Sequence, residues 1–405
     1  MRIGIFTDTY PPYINGVSTS VKMLEQALKE KGHQVYIVTV NTKNMKYIYE
    51  NDGKTIRIPG IPTGIYDYRL TGIYPVRVIN KIKKWNLDVI HSHTEFGVGT
   101  FARIISKQFG IPLVHTYHTM YEDYVHYITH GYFDKSSKKL VEYFTKFYCD
   151  KTASELIVPS KKTYNLFKEK YKCDKNIYIV PTGMDIDNFD VNKLKQSKIQ
   201  ELKNKYELNN SFVILYVGRL AEEKNIEFII NNQYSLLKKY PNLKLLIVGN
   251  GPDMEKYKKL CKKNKIENST IFTGAVPRDD MPYYYALGNV FVTASTTETQ
   301  GLTVIEAMAS GIPVVAINDE SFSNTVIDGL NGYLFNKKND YLKKISTLIE
   351  NQEIYDKMKV QAKITANEHS LKYYAEKILD VYKSAMSKKK KKSIFERIFK
   401  KTKRD

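Results

Sequence analysis

Short runs of consecutive apolar residues alternate along this chain with longer stretches of helical period. In the first half the runs are Arg2–Thr7, Gln34–Val40, Asp88–His91, Pro112–His115, Glu155–Val158 and Asn176–Val180. In the second half they are Phe212–Val217, Leu243–Val248, Thr270–Thr273, Val290–Ala294 and Pro313–Ala316. Between them lie patterns such as Val21–Lys31 and Asn225–Lys239, whose apolar positions recur every three or four residues. Strands apolar on both faces belong to buried parallel sheets, and parallel strands need crossovers, so the pattern predicts βαβ units. The pattern restarts once: residues 1–181 make one doubly wound unit and 211–338 a second, with the polar, Lys/Asn-rich stretch Asp185–Asn210 between them. We place the hinge near Thr182–Asp190. The expected division is 1–185, 186–370, a C-terminal helix over 371–387 that packs back on the first domain, and a tail, 388–405. Two such units facing a cleft would offer ligands the carboxyl ends of their strands.

Composition narrows the class. A chain of 405 residues is too long for one ordinary core and suits two. The net charge of +20 implies an anionic partner: nucleic acid, an acidic membrane surface or a phosphorylated substrate. The three cysteines, Cys149, Cys173 and Cys261, are odd in number and lack metal-ligand spacing, which reads as free thiols in a reducing compartment. The opening Met1–Thr7 has the pattern of a strand and not of a signal peptide, and no apolar run is long enough to span a bilayer. A cytoplasmic protein that lies on a membrane rather than crossing it fits these features.

The last 18 residues point to such a surface. Lys388, Lys389, Lys390, Lys391 and Lys392 form an unbroken run, and Ile394, Phe395, Ile398 and Phe399 then share one helical face. Ten basic residues against two acidic ones give this segment a local net of +8. A basic amphipathic helix of this kind lies among anionic headgroups; a disordered solubilising tail is the plainer alternative. A second candidate patch interleaves Lys135, Lys138, Lys139 and Lys146 with Tyr132, Phe133, Tyr143, Phe144 and Phe147. An ordinary amphipathic helix packed on the sheet explains it equally well.

Four motifs carry candidate chemistry. After the strand Val290–Ala294 comes Glu298-Thr299-Gln300-Gly301-Leu302, followed by Glu306 and then Gly311-Ile312-Pro313. Gly301 lets backbone approach a ligand closely, and the N–H groups of Gln300, Gly301 and Leu302 at the start of a helix form a site for an anion or hydroxyl. Glu306, about one turn on, can accept two hydrogen bonds from a vicinal diol such as a ribose. Glu298, in the loop before, can reach a sugar hydroxyl. The second motif, Gly218-Arg219 with Lys224, begins at the carboxyl end of the strand Phe212–Val217. Its two cations can grip one diphosphate and stabilise it as a leaving group without a metal ion. The third is the turn from Thr7 to Ser18, where Gly16 opens a helix at the phosphate-facing position of a Rossmann-like unit, without a full G-x-G-x-x-G. The fourth places His118, and next to it His93, just past the ends of two strands. No third ligand stands at a spacing that would make them a zinc site.

Taken together, Asn15-Gly16-Val17, Gly218-Arg219 with Lys224, Gly249-Asn250-Gly251-Pro252, Gly274-Ala275-Val276-Pro277 and the Glu298/Glu306 pair resemble the retaining glycosyltransferases of family 4, which have the GT-B fold. The matches span nearly the whole chain except the tail. The opening, the segment Thr116–Tyr127 and the basic tail look closest to the bacterial 1,2-diacylglycerol 3-glucosyltransferases. The resemblance implies two Rossmann-like domains, a UDP-sugar donor, retention, a diacylglycerol or related lipid acceptor, and no cofactor or essential metal. It puts Glu306 on the ribose, Arg219 and Lys224 on the diphosphate, Glu298 and the amides near Gly301 on the sugar, Gly16 against the phosphate, and His118 against the transferred sugar. Thr299-Gln300-Gly301 departs from relatives that carry an aromatic residue before the glycine, which leaves the donor sugar open. A glycosyltransferase acting on a glycolipid or polysaccharide would carry the same donor residues. A sugar-nucleotide epimerase of similar fold is a weaker option. A non-enzymatic membrane or nucleic-acid adaptor would leave Arg219, Lys224, Glu298 and Glu306 unexplained, and no nucleic-acid-binding motif is present.

Overall fold

All eleven apolar runs form strands; nine are largely buried on both faces, while the edge strands over Ile177–Ile179 and Thr270–Gly274 are only partly covered. The computed structural model describes residues 1–13, 15–63, 69–118, 142–143, 145–298, 300–323 and 325–401, with side chains for all of these except 150, 151 and 390–401. The chain divides into two units, residues 1–183 with 371–405, and residues 184–370.

The first unit holds β1 (Arg2–Phe6), β2 (Gln34–Val40), β3 (Ile48–Glu50), β4 (Thr55–Ile58), β5 (Gly60–Pro62), β6 (Arg69–Thr71), β7 (Val89–Ser92), β8 (Leu113–Thr116), β9 (Glu155–Val158) and β10 (Ile177–Ile179). The order in its main sheet is β10-β9-β8-β7-β1-β2-β4-β3, parallel except where β3 runs against β4, while β5 and β6 make a separate hairpin. Its helices include α1 (Gly16–Glu30), α2 (Val76–Lys84), α3 (Gly97–Phe109) and the short α4 (Lys161–Asn165). The Asn15 side chain caps α1 by accepting from the Ser18 N–H at 2.8 Å. Asp8, from the end of β1, does the same for α3 by accepting from the Val98 N–H at 2.9 Å. Gly110, in the left-handed region at φ 66°, terminates α3. The buried Trp85 stacks on Tyr36 with ring centroids 4.9 Å apart.

The second unit holds β11 (Phe212–Val217), β12 (Leu243–Val248), β13 (Thr270–Gly274), β14 (Val290–Thr293), β15 (Val314–Ile317) and β16 (Gly332–Phe335), all parallel in the order β13-β12-β11-β14-β15-β16. Its helices include α5 (Gln196–Lys205), α6 (Ile226–Leu237), α7 (Met254–Lys263), α8 (Met281–Tyr285), α9 (Leu302–Ala309), α10 (Lys338–Glu350) and α11 (Gln352–Asn367). Alternate residues of β11 serve two cores. Val213, Leu215 and Val217 pack on α9 residues, while Ile214 and Tyr216 pack on α6 residues. Each fully buried aliphatic side chain here contributes about 1.5–3 kcal/mol. The strand order is that of a doubly wound nucleotide-binding sheet, whose switch point lies between β11 and β14. In the first unit the corresponding switch lies between β1 and β7.

The structure alters two expectations. The sequence pattern does not predict the strands β3 to β6 or the edge strand β16, because each mixes its apolar residues with a polar residue, glycine or proline. The C-terminal helix does not break at 387: α12 runs from Leu371 to Lys401 in one piece. Lysine is a good helix former, so the lysine run supplies no stop signal. The inner face of α12, including Leu371, Tyr374, Ile378, Val381, Tyr382 and Ala385, is buried in the core of the first unit beside α1.

Candidate functional site

At the switch point of the second unit, two loops meet. The loop after β11 carries Arg219 and Lys224; the loop after β14 carries Glu298 and Gln300. Lys224 Nζ lies 2.6 Å from Glu298 Oε1, and Arg219 Nη2 lies 2.7 Å from Glu223 Oε1. Hydroxyls of Ser295 and Thr297 reach the Glu223 carbonyl, and the Asn225 amide donates to the Ala294 carbonyl, each at 3.4 Å. Asn225 holds a left-handed backbone, φ 50°, which turns the chain from Lys224 into α6. The loop after β11 is also pressed against the one after β12. A Cβ on Gly249 would lie 1.9 Å from the Gly218 carbonyl oxygen, and one on Gly251 would lie 2.2 Å from that of Leu220. The matching glycines are therefore packing requirements of the site's own scaffold.

Gly301, at φ 74°, caps the start of α9, and a Cβ there would strike the Phe322 ring at 2.5 Å. Glu306 is buried one turn into α9. Its Oε2 accepts from the Tyr285 hydroxyl at 2.6 Å, and its Oε1 pairs with Arg278 Nη1 at 2.5 Å. Burial, with the Glu306 carboxylate beside it, pushes the Tyr285 hydroxyl well above its ordinary pKa. The carboxylate expected to face a diol thus already has a cation and a phenol as partners; each oxygen retains acceptor capacity.

In the first unit, the ends of β7 and β8 gather a polar cluster. His91 bonds the Tyr382 hydroxyl of α12 through Nδ1 and Thr116 Oγ1 through Nε2, each at 2.7 Å. His115 bonds Ser92 Oγ at 2.8 Å and Glu95 Oε1 at 3.0 Å. His93 Nδ1 lies 2.9 Å from His118 Nε2. Burial lowers all four imidazoles, His91 and His93 well below the ordinary value and His118 to about 4. Arg103 supports the turn by donating to the Gly99 carbonyl at 2.8 Å. Asp8, whose carboxyl burial pushes up, accepts from Thr94 Oγ1 at 2.5 Å, so β1 and β7 are tied at the switch point. Among the described residues, a Cβ on Gly16, the first residue of α1, would meet nothing within 4 Å, so this helix end is open to them. Glu95, His115 and Cys149 bring ligand atoms within 4.8 Å of one another, with both His115 nitrogens already bonded.

The comparisons with known proteins agree with this layout. Residues 14–188 match the family model described as Glycosyltransferase Family 4, and residues 198–365 that described as Glycosyl transferases group 1. An alpha-monoglucosyldiacylglycerol synthase of Acholeplasma laidlawii is 36% identical over 97% of this chain and 99% of its own. The chain belongs to glycosyltransferase family 4. A second alpha-monoglucosyldiacylglycerol synthase, from Streptococcus pneumoniae, is 35% identical over 84% of this chain and 76% of its own. Among solved structures, Anabaena HepE in complex with UDP and glucose superposes with a TM-score of 0.71 at 17% identity, covering 94% of this chain and 99% of that one. The protein is a glycosyltransferase of GT-B fold.

For this family member, the structure brings Arg219, Lys224, Glu298, Gln300 and Gly301 to the two loops of one switch point, with Glu306 just inside α9. His118 and Gly16 belong to the first unit. The sequence reading missed Arg278 and Tyr285 as partners of Glu306; the position of Arg278 directly after the Gly274–Pro277 motif was the available signal. The tail reading changes at its first residue. Lys388 Nζ lies 2.8 Å from Oε1 of Glu155, a carboxylate with no exposure that also accepts from Ser384, so this lysine serves the enzyme's own sheet. Lys389 approaches Gly110 at the end of α3. The side chains of Lys390, Lys391, Lys392, Ile394, Phe395, Ile398 and Phe399 lie outside the described residues, as do Thr299, Tyr132, Phe133, Lys135, Lys138, Lys139 and Phe144. Tyr143 and Phe147 are exposed. Among the described residues no helix is long and apolar enough to cross a membrane, and the three cysteines are buried thiols.

Proposed function

We propose that this enzyme transfers glucose from UDP-glucose to the free hydroxyl of 1,2-diacylglycerol, with retention and without a metal ion, at an anionic membrane surface. The observation that carries the reading is the 36% identity, end to end, with a synthase of that product. The donor residues fit it chemically. Arg219 and Lys224 supply the positive charge that a departing UDP needs, each held ready by a glutamate in the loops. Glu306, fixed by Tyr285 and Arg278, accepts from the ribose diol. Glu298 and the amides of Gln300, Gly301 and Leu302 take the sugar hydroxyls, His118 touches the transferred sugar, and the space at Gly16 admits phosphate.

A lipid acceptor requires the enzyme to sit at the bilayer. Exposed Ile61, Leu70, Ile73, Val76 and Phe96 support this, since the β5–β6 hairpin lies beside the start of α3. The basic run Lys389–Lys392 adds attraction to anionic headgroups. The test is incubation with UDP-glucose and diacylglycerol in phosphatidylglycerol vesicles, followed by mass spectrometry of the lipids. A monohexosyl-diacylglycerol with the α-configuration is the expected product. Transfer only to a preformed glycolipid or a soluble glycan would move the assignment to that acceptor.

A further inference from the structure

His93 and His118 share one hydrogen bond, Nδ1 to Nε2 at 2.9 Å, with their rings stacked at 5.2 Å. Only one proton can occupy that bond, and its position fixes both tautomers. His93 is 1% exposed, and among the described residues its Nε2 has no partner. The neighbouring imidazoles offer it nothing: His91 is committed at both nitrogens to Tyr382 and Thr116, and His115 to Ser92 and Glu95. If His118 donated from Nε2, neutral His93 would carry its proton on Nε2, as a buried N–H with no acceptor among the described residues. If His93 donates from Nδ1, its Nε2 is a bare lone pair. Orphaned buried N–H groups are the rarer of the two in folded proteins, because a donor stripped of water loses its single bond outright.

We propose that His93 is a positioning residue that donates Nδ1–H to His118 Nε2, and so holds His118 as the Nδ1–H tautomer. In that form His118 has no free lone pair. It gives a hydrogen bond to an oxygen of the transferred sugar and takes no proton from the acceptor hydroxyl. This rests on the reading above that His118 touches the sugar. Burial keeps both rings neutral at neutral pH, which the one-proton argument requires.

The test compares two isosteric variants of the full-length protein. In His93→Asn the amide N–H takes the place of Nδ1–H, whereas His93→Asp puts an acceptor there. Two-bond 15N–1H correlation spectra of 15N-histidine-labelled protein read the His118 tautomer directly. Nδ1–H is expected in the wild type and in His93→Asn, and Nε2–H in His93→Asp. Transfer to diacylglycerol should fall about 100-fold in the Asp variant and about threefold or less in the Asn variant, with UDP affinity unchanged in both. A wild-type His118 protonated on Nε2, or the same tautomer in both variants, overturns the proposal. The expected tautomers with undiminished transfer in both would uphold it and instead remove His118 from the sugar.

Discussion

The first unit should lose stability steeply in mild acid. His91 and His93 are 0% and 1% exposed, and burial holds both well below the ordinary imidazole value. In the unfolded chain they titrate near about 6.5. Because the folded value is depressed, the unfolded state binds more protons as pH falls below that point, so stability is complete above it and lost beneath it. From pH 7.5 to 5.5, each imidazole that stays neutral costs about 1.4 kcal/mol, and the two together about 3 kcal/mol. With a urea dependence of about 2 kcal/mol per molar, the unfolding midpoint should fall by about 1.5 M. His115 acts in the same direction, while the raised Asp8 carboxyl acts against it. Trp85 is the chain's single tryptophan and sits in the first unit against Tyr36, so its fluorescence follows that unit alone. The His93→Asn variant should recover about 1.4 kcal/mol of the loss, having one imidazole fewer. An unchanged midpoint between the two pH values, or an equal shift in the variant, would show that these rings take up protons in the folded state, and the reasoning would fail.

Arg219→Ala or Lys224→Ala should lower the transfer rate about 100-fold or more by removing charge from the leaving diphosphate, and wild-type turnover in both would refute their assignment. Activity should survive EDTA; loss restored by Mg²⁺ or Mn²⁺ would put a metal on the diphosphate instead. Tyr382→Phe should destabilise the first unit by about 1–3 kcal/mol, because it leaves the buried His91 Nδ1 unpaired, and Trp85 fluorescence during urea unfolding measures it. Arg278→Ala, which takes the counter-charge from the buried Glu306 carboxylate, should weaken UDP binding about tenfold by calorimetry. Unaltered UDP affinity would show that Glu306 does not need that partner.

Much of this was legible along the chain for a simple reason. A parallel strand buried on both faces announces itself as a continuous apolar run, as in Phe212–Val217, and the loops that follow such strands are where ligands sit. The strands β3 to β6 have no such run: Tyr49, Ile61 and Leu70 point to solvent, and the pairing depends on neighbours. Partnerships across the fold were equally hidden. Nothing local ties Arg278 to Glu306, or Tyr382 to a histidine 291 residues earlier; only the return of α12 to the first sheet makes the second pair. Lys388 shows the opposite error. Its place in a lysine run suggested solvent and lipid, while a buried Glu155 awaited it.

The route of the chain also orders its birth on the ribosome. The second unit begins and ends at one spot, where the Met184 N–H donates to the His369 carbonyl at 2.8 Å and Met184 bridges Ser370. It is complete as soon as residue 370 has emerged. The first unit, although synthesised earlier, lacks the helix that covers its core and reaches His91 until residues 371–385 are made. Domains usually finish in the order of their synthesis; here that order is inverted. A nascent chain that has emerged as far as residue 370 would carry a finished second unit behind an unfinished first one, with an apolar face open to a chaperone until residues 371–385 follow.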